Sequence, residues 1–291
     1  MASKDTKGKI VYSLSLLMMI FIILSFVAFS QLEKTEQIRK VDESIEKLLL
    51  LNLELFKNDV DFFDFDLNNK AFFETGSSKF LLKHDSILTA ARTLINSVED
   101  EESFGIDPAL WHIDSVLIAY DSVFKLLVEK HKVRGYKGYG IEGELRDIAH
   151  EIEDKKAINQ SDLQNLRRYE KNYLIRDDAA YAKKFQDYAM ATSAKLKPGS
   201  EAEIVFNKYI RSFENLLSVS EEIGRYTQTG LKALLNQKTT ELLRALDMLS
   251  KEAEAQTIAA HKFGMNIFLL CAIIAVASCF ALIIFIARNI L

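Results

Sequence analysis

The side chains best suited to binding a small molecule lie between Ser161 and Phe185, where basic residues stand next to acidic ones. Arg167 and Arg168 each carry a planar guanidinium, which can hold a carboxylate through two parallel hydrogen bonds. The same groups can instead pair with Glu170 or with acids on a facing helix. Both interpretations follow from the residue types. If only one part of the chain binds a ligand, we expect it to be the part that contains Arg167.

A helix must position these side chains, and its apolar face contains two acids. Steps of three and four residues, the spacing of one buried helix face, connect Leu163, Leu166, Glu170, Tyr173, Asp177 and Ala180. A carboxylate in a packed face needs a basic partner, because moving an unpaired charge out of water is unfavourable. We therefore predict a structural charged layer containing Glu170 and Asp177. The neighbouring Lys171 and Arg176 are further candidates for ligand binding.

Two weaker binding candidates lie outside this helix. Arg146 follows a glycine-rich stretch and faces the same choice between a ligand and a local acid. Lys57 lies just before Asp59, an acid in the apolar face of an earlier helix, but no arginine pair precedes that acid.

Matches between distant parts of the chain indicate an internal duplication. At an offset of 111 residues, Leu55, Asp59 and Phe62 match Leu166, Glu170 and Tyr173. At an offset of 89, Tyr120, Phe124, Leu127 and Gly135 match Tyr209, Phe213, Leu216 and Gly224. A glycine also opens the next helix in both copies. We predict two similar helical modules, in which Asp59 is the counterpart of Glu170 and belongs to a charged layer of its own.

No arrangement of residues indicates an enzyme, a metal site or a cofactor. His150 and Glu153 share a predicted helix, but no second histidine lies at zinc-ligand spacing. The glycines of residues 134–143 precede no Lys-Ser or Lys-Thr pair, so they predict a turn between helices and not a phosphate loop. We assign Trp111, Tyr136 and Tyr139 to packing rather than to a ligand cage. A net charge of −4 argues against a nucleic-acid partner.

Two uncharged, apolar runs are long enough to cross a membrane, at residues 10–30 and 263–287. A cleavable signal peptide is the alternative for the first run, but that run is longer than a signal core usually is. The ends of the chain are basic, with Lys4, Lys7, Lys9 and Arg288 opposed by Asp5. By the positive-inside rule both termini, residues 1–9 and 288–291, are predicted to be cytoplasmic, with residues 31–262 outside. Both cysteines, Cys271 and Cys279, lie in the second run, so no disulfide is expected in the exported part.

The chain is predicted to be all-α, because it has only 2 Pro and 11 Gly in 291 residues. Capping boxes at Ser161 with Gln164 and at Ser200 with Glu203 mark two helix starts. The last predicted helix continues into the second span, with Gly224 and Gly230 as candidate breaks. The predicted helices are Gln31 to about Phe73, Lys79 to Val98, Pro108 to about Val133, Ile141 to about Lys156, Ser161 to about Leu196, and Glu201 onward.

Two motifs resemble the helical bimodular (HBM) sensor domain of bacterial transmembrane chemoreceptors and sensor kinases. Residues 167–176, RRYEKNYLIR, are similar to the family pattern R-R-x-E-K-D-F-L-x-R, with Asn172 and Tyr173 where the family has Asp and Phe. Residues 134–153, RGYKGYGIEGELRDIAHEIE, are similar to G-x-x-G-x-x-G-x-L-R-x-x-A-H-x-I-E. The resemblance covers about residues 31–262.

This resemblance implies an extracytoplasmic pair of stacked four-helix bundles, built from six helices between two transmembrane helices. It implies a homodimer in the bacterial inner membrane with a periplasmic sensor part. A small solute, such as an organic acid, would be the signal, and residues 288–291 would begin a HAMP-like linker. The corresponding function is the ligand-sensing input module of a chemoreceptor or sensor kinase, which passes a helix displacement across the membrane. The alternatives are a bundle that binds a periplasmic solute-binding protein, and a structural tether.

Overall fold

The computed structural model describes residues 2–100, 106–225 and 228–290, and all regular structure in these ranges is helical, as predicted. In chain order the α-helices are α1 (Ala2–Phe65), α2 (Lys70–Thr75), α3 (Lys79–Asp100), α4 (Asp107–Arg134), α5 (Gly140–Asp154), α6 (Gln160–Arg176), α7 (Ala179–Ser193), α8 (Glu201–Ile223) and α9 (Gly230–Ile290). A short 3-10 helix, Asp66–Asn68, follows α1.

Two of these helices, α1 and α9, are long and apolar enough to cross a membrane. Large apolar side chains in both stretches are exposed, among them Phe26 and Phe268. Such exposure is unfavourable in water but is expected where lipid surrounds a helix. The orientation of the two helices stays a prediction.

The chain divides into two compact units. One comprises Met1–Leu50, Thr93–Trp111 and Ala245–Leu291, and so contains both candidate membrane spans. The other comprises Leu51–Arg92 and His112–Arg244. All of the predicted ligand-binding residues belong to this second unit.

Within the second unit, α5 to α8 form a four-helix bundle. Helix α5 packs against α6 and α8, and α7 also packs against α6 and α8. The apolar face of each helix supplies the core, which includes Leu145, Ile152, Leu166, Tyr173, Phe185, Phe206, Tyr209 and Phe213. Burial of this many large side chains is the main source of stability for such a bundle.

Two further apolar clusters of the second unit involve α1, α2, α4, α8 and α9. Phe62 of α1, Phe72 and Phe73 of α2, and Phe124 of α4 form one aromatic cluster. A smaller cluster joins Leu127 of α4 to Val219 and Ile223 of α8, with Leu231 and Leu235 of α9 packed against it. Side chains of α8 and α9 therefore meet although a loop separates the two helices in the chain.

The prediction of one helix from Ser161 to about Leu196 is wrong, because this stretch forms two helices, α6 and α7. Asp177 ends α6 in the left-handed conformation, with φ of 49°, and the Asp178 side chain accepts a hydrogen bond from the Ala180 amide to start α7. Aspartate is among the few residues that tolerate both roles. The predicted cap at Ser161 is also wrong, because the side chain of Asn159 caps α6 instead.

Two other predictions need correction. Helix α1 ends at Phe65 and not near Phe73, because Asn69 caps the separate helix α2. The run from Glu201 is interrupted between Ile223 and Gly230, at the two glycines predicted as candidate breaks. Trp111 is 62% exposed and is not a packing residue. The predicted cap at Ser200 is confirmed, since the Ser200 hydroxyl accepts a hydrogen bond from the Glu203 amide. The Glu203 carboxylate accepts in return from the amide of Gly199 and not from that of Ser200.

Candidate functional site

Three of the predicted basic residues line a single cavity in the α5–α8 bundle. Arg167, Arg168 and Lys171 of α6 face a space of about 510 Å³ whose other wall is α5. This volume is in the range of small-molecule sites. The rest of the lining is Ala149, His150, Glu153, Gln160, Leu163, Gln164 and Asn172. The cavity thus combines three cationic side chains with one acid and several amides, which suits a small anion.

The two arginines stand differently in this cavity. The Arg167 side chain is 22% exposed, and its Nη1 lies 3.2 and 3.3 Å from the two carboxylate oxygens of Glu170. Arg168 lies over the ring of Tyr169, with 5.2 Å between the guanidinium carbon and the ring centroid. Among the described residues, no carboxylate pairs with Arg168. Arg167 therefore both lines the cavity and pairs with a local acid, as the two interpretations of its role require. Arg168 has no acidic partner among the described residues and lines the cavity with its guanidinium.

Glu170 of the predicted charged layer is buried. It is 3% exposed, and besides Arg167 it accepts a hydrogen bond from the hydroxyl of Tyr209 on α8. Burial raises the pKa of Glu170, and this effect exceeds the opposite effects of Arg167 and Tyr209. Burial and the adjacent carboxylate raise the pKa of Tyr209 well above its ordinary value, so the phenol keeps its proton.

Asp177 does not belong to this layer, contrary to the prediction. It lies at the end of α6 and pairs with Arg225, at 3.6 Å between Oδ1 and Nε. The broken helix turns its side chain away from the direction that the residue spacing implied. The structural layer of this bundle therefore contains one predicted acid and not two.

The other module repeats the arrangement around Glu170. Asp59 is 2% exposed and accepts a hydrogen bond of 2.7 Å from the Tyr120 hydroxyl. One turn away, the rings of Phe62 and Phe124 lie 5.9 Å apart at 70°. Their counterparts Tyr173 and Phe213 also meet at 70°, with their ring centroids 5.8 Å apart. The positions matched by the offsets of 111 and 89 residues are thus in contact in both modules.

The cation beside the buried acid differs between the modules. Asp59 pairs with His84 of α3, whose Nδ1 lies 2.8 Å from Asp59 and whose Nε2 lies 3.0 Å from Asp121. Burial alone would lower the pKa of His84, but the two carboxylates outweigh it and the pKa is raised. His84 stacks on Phe124 at 4.1 Å between ring centroids.

Sequence reasoning missed His84, Asp121 and the tyrosines as partners of the acids. A third offset carried the signal. His84 lies 101 residues before Phe185, which stacks on Phe213 at 3.7 Å in the other module. The histidine therefore occupies the place of a core aromatic residue and neutralises an acid that has no arginine beside it.

The other predicted basic residues lie away from the 510 Å³ cavity. Lys57 lines a separate space of about 380 Å³ together with Lys79 and Lys83. Arg146 lies 3.8 Å from Asp147, and Arg176 lies over the ring of Tyr181. In the part of the chain that the structure describes, none of these three side chains lines the cavity around Arg167.

A mostly apolar cavity of about 460 Å³ lies among α1, α4 and α9. Its wall includes His131, whose Nε2 is buried without a hydrogen-bond partner. Burial and the charges of Lys232 and Arg134 lower the pKa of His131 to about 3, so the ring stays neutral.

His84, Asp85 and Asp121 could together hold a cation, since their ligand atoms lie within 4.8 Å of one another. Lys125 already provides a positive charge there, with its Nζ 3.1 Å from Asp85 and 3.0 Å from Asp121. This group is therefore neutralised by the protein's own side chains.

Comparisons of the chain with protein-family models, with curated proteins and with solved structures found no match.

Proposed function

We propose that the protein is a membrane-anchored sensor that binds a small organic anion in the cavity beside Arg167 and Arg168. The observation that carries this proposal is the convergence of Arg167, Arg168 and Lys171 on one cavity, in a chain with two candidate membrane spans. The residues around the cavity offer no nucleophile paired with a base, so binding is the better use of the site.

The chemistry of the cavity favours a carboxylate. Arg168 can donate two parallel hydrogen bonds to a carboxylate, and Lys171 adds a third positive charge. Leu163 and Ala149 provide a small apolar area for the carbon skeleton of the ligand. The resemblance to HBM sensor domains supports the same ligand class, together with stacked bundles, a homodimer and a location in the bacterial inner membrane.

The route of the signal cannot be a single rigid helix, because α8 ends before α9 begins. Glu170 of α6 is bonded to Tyr209 of α8, and Val219 and Ile223 farther along α8 share an apolar cluster with Leu231 of α9. A shift of α6 would reach α9, and hence the second candidate span, through these contacts. We propose that ligand binding selects between two packings of these helices.

The proposal is tested with the full chain in lipid nanodiscs, titrated calorimetrically with a panel of small organic acids. Arg167→Ala and Arg168→Ala should each weaken binding of an anionic ligand about 10- to 100-fold, which corresponds to the loss of a charge-assisted hydrogen bond. Arg168→Lys should retain weak binding, because it keeps the charge but not the fork.

Arg146→Ala is the matched control, since Arg146 is also a predicted ligand-binding arginine but lies outside the cavity. It should bind like the native chain, and circular dichroism should show unchanged helicity for every variant. Native affinity in both Arg167→Ala and Arg168→Ala would show that the ligand binds elsewhere, with the space around Lys57 as the next candidate.

A further inference from the structure

Arg167 belongs both to the wall of the cavity and to the buried charged layer. Its side chain contributes to the 510 Å³ cavity, and its Nη1 is within hydrogen-bond distance of both oxygens of Glu170. An anion in the cavity and the carboxylate of Glu170 therefore approach the same guanidinium. Either the anion draws Arg167 away from Glu170, or two negative charges share one cation.

The surroundings of Glu170 contain little that could replace Arg167. The charged and titratable groups facing it are Arg167 and Lys171 on α6, Tyr209 on α8 and Glu142 on α5, while α7 contributes the apolar Phe185. Lys171 acts on Glu170 through its charge alone, and Glu142 is another acid. A carboxylate that is 3% exposed cannot recover the lost stabilisation from water.

Building on the proposed function, we propose that binding of an anion in the cavity is coupled to the uptake of one proton by Glu170. The proton comes from solvent and forms an O–H bond on the carboxylate, which becomes a neutral carboxylic acid beside the Tyr209 hydroxyl. The neutral acid no longer competes with the anion for the positive charge of Arg167. Such coupling is reciprocal, so a lower pH strengthens anion binding as much as the anion strengthens proton binding.

The protonation behaviour of the free protein agrees with this geometry. Burial already raises the pKa of Glu170, with Arg167 as the main opposing influence. Weakening the contact with Arg167 raises that pKa further.

The other module provides a built-in comparison. Asp59 has the same tyrosine contact, but its cation is His84, which is 1% exposed and is not part of the 510 Å³ cavity. An anion in that cavity has no means of drawing His84 away from Asp59. The charged layer around Asp59 should therefore not respond.

Sulfate is a suitable probe, because it does not titrate near neutral pH and any proton taken up must bind to the protein. The full chain in nanodiscs is titrated with sulfate by calorimetry in Bis-Tris and in imidazole at the same pH. These buffers are not anions, and they differ in ionisation enthalpy, so the difference in heat gives the number of protons bound. The native chain should take up as much as one proton, and its affinity for sulfate should fall by as much as about tenfold per pH unit as the pH rises.

Glu170→Gln carries a neutral side chain of the same shape, so it should bind sulfate more tightly than the native chain, without proton uptake and without the pH dependence. Asp59→Asn, the matched change in the other module, should behave like the native chain. If Glu170→Gln still takes up a proton, the proton binds elsewhere and the coupling is wrong.

Sulfate binding to the native chain without proton uptake would overturn the coupling and leave the proposed anion site intact. No sulfate binding to either the native chain or Glu170→Gln would also overturn the coupling. The titrations with organic acids then decide separately whether the cavity is a ligand site.

Discussion

The hydroxyl of Tyr209 donates a hydrogen bond to the carboxylate of Glu170 in the core of the α5–α8 bundle. Glu170→Ala would leave that hydroxyl and the Arg167 guanidinium without their acceptor. We expect the free energy of unfolding to fall by about 3 kcal/mol, the lower end of the range for a broken buried pair, because Arg167 keeps access to the cavity. Thermal denaturation in nanodiscs, followed by circular dichroism, measures the change.

Glu43→Ala is the control for this prediction. Glu43 pairs with Arg39, but both side chains are more than half exposed, so the loss of stability should be much smaller than for Glu170→Ala. Equal melting temperatures for Glu170→Ala and the native chain would contradict the burial of the layer.

Gly135 and Gly224 should be intolerant of substitution. A Cβ on Gly135 would lie 1.9 Å from the carbonyl oxygen of Tyr139, and one on Gly224 would lie 1.8 Å from that of Thr229. Both glycines also have positive φ. We expect Gly135→Ala and Gly224→Ala each to destabilise the fold by more than about 2 kcal/mol in thermal melts.

Gly199→Ala separates steric clash from backbone strain. Gly199 has φ of 74°, but no atom lies within 4 Å of the added Cβ. It should lose only about 1 to 2 kcal/mol. A larger loss at Gly199 than at Gly135 and Gly224 would contradict the close approach of the backbone in these loops.

His84 should stabilise the fold most strongly at low pH. Its pKa is raised above the value of about 6.5 expected in the unfolded chain. Its contribution is therefore fully present below pH of about 6.5 and is lost as the pH rises through the pKa of the folded state. His84→Gln keeps a hydrogen-bonding side chain without the charge. The difference in melting temperature between the native chain and this variant should shrink as the pH rises, and a difference that grows would contradict a protonated His84.

His131 should act in the opposite sense. The pKa of His131 is lowered to about 3 in the folded chain. Below pH of about 6.5 the unfolded chain therefore binds a proton at His131, whereas the folded chain does not. The native fold should lose stability between these values, by as much as about 1.4 kcal/mol per pH unit. His131→Leu removes this loss, so its melting temperature should fall less on acidification. An equally steep fall in native chain and variant would assign the acid sensitivity to other groups.

The sequence was most informative where a residue broke a regular pattern. Glu170 and Asp59 stood out as acids on apolar helix faces, and both are buried. The tyrosine that donates a hydrogen bond to each acid was not predicted. A buried acid can be recognised in the sequence because it stands at a position of the helical spacing where packing otherwise requires an apolar residue. Asp177 stands at such a position too, but for a different reason, since it ends helix α6.

Several features depended on choices that spacing does not determine. Asn159 and Ser161 are both good caps, and only the conformation of the loop before α6 decides between them. The cavity wall formed by His150 and Glu153 depends on how α5 lies against α6. The pairing of His84 with Asp59 was not predicted, because the spacing of an amphipathic helix does not distinguish a histidine at a core aromatic position from one on the surface.

The chain enters and leaves the α5–α8 bundle at one place, since Ile141 and Ile223 pack in the same apolar cluster. The residues in between are continuous in sequence, so a single insertion or deletion in a gene could add or remove the entire bundle and its cavity. After such an event α4 would be followed by α9, with one glycine-containing loop in place of two. The cavity and the two candidate membrane spans of such a protein could therefore be inherited separately.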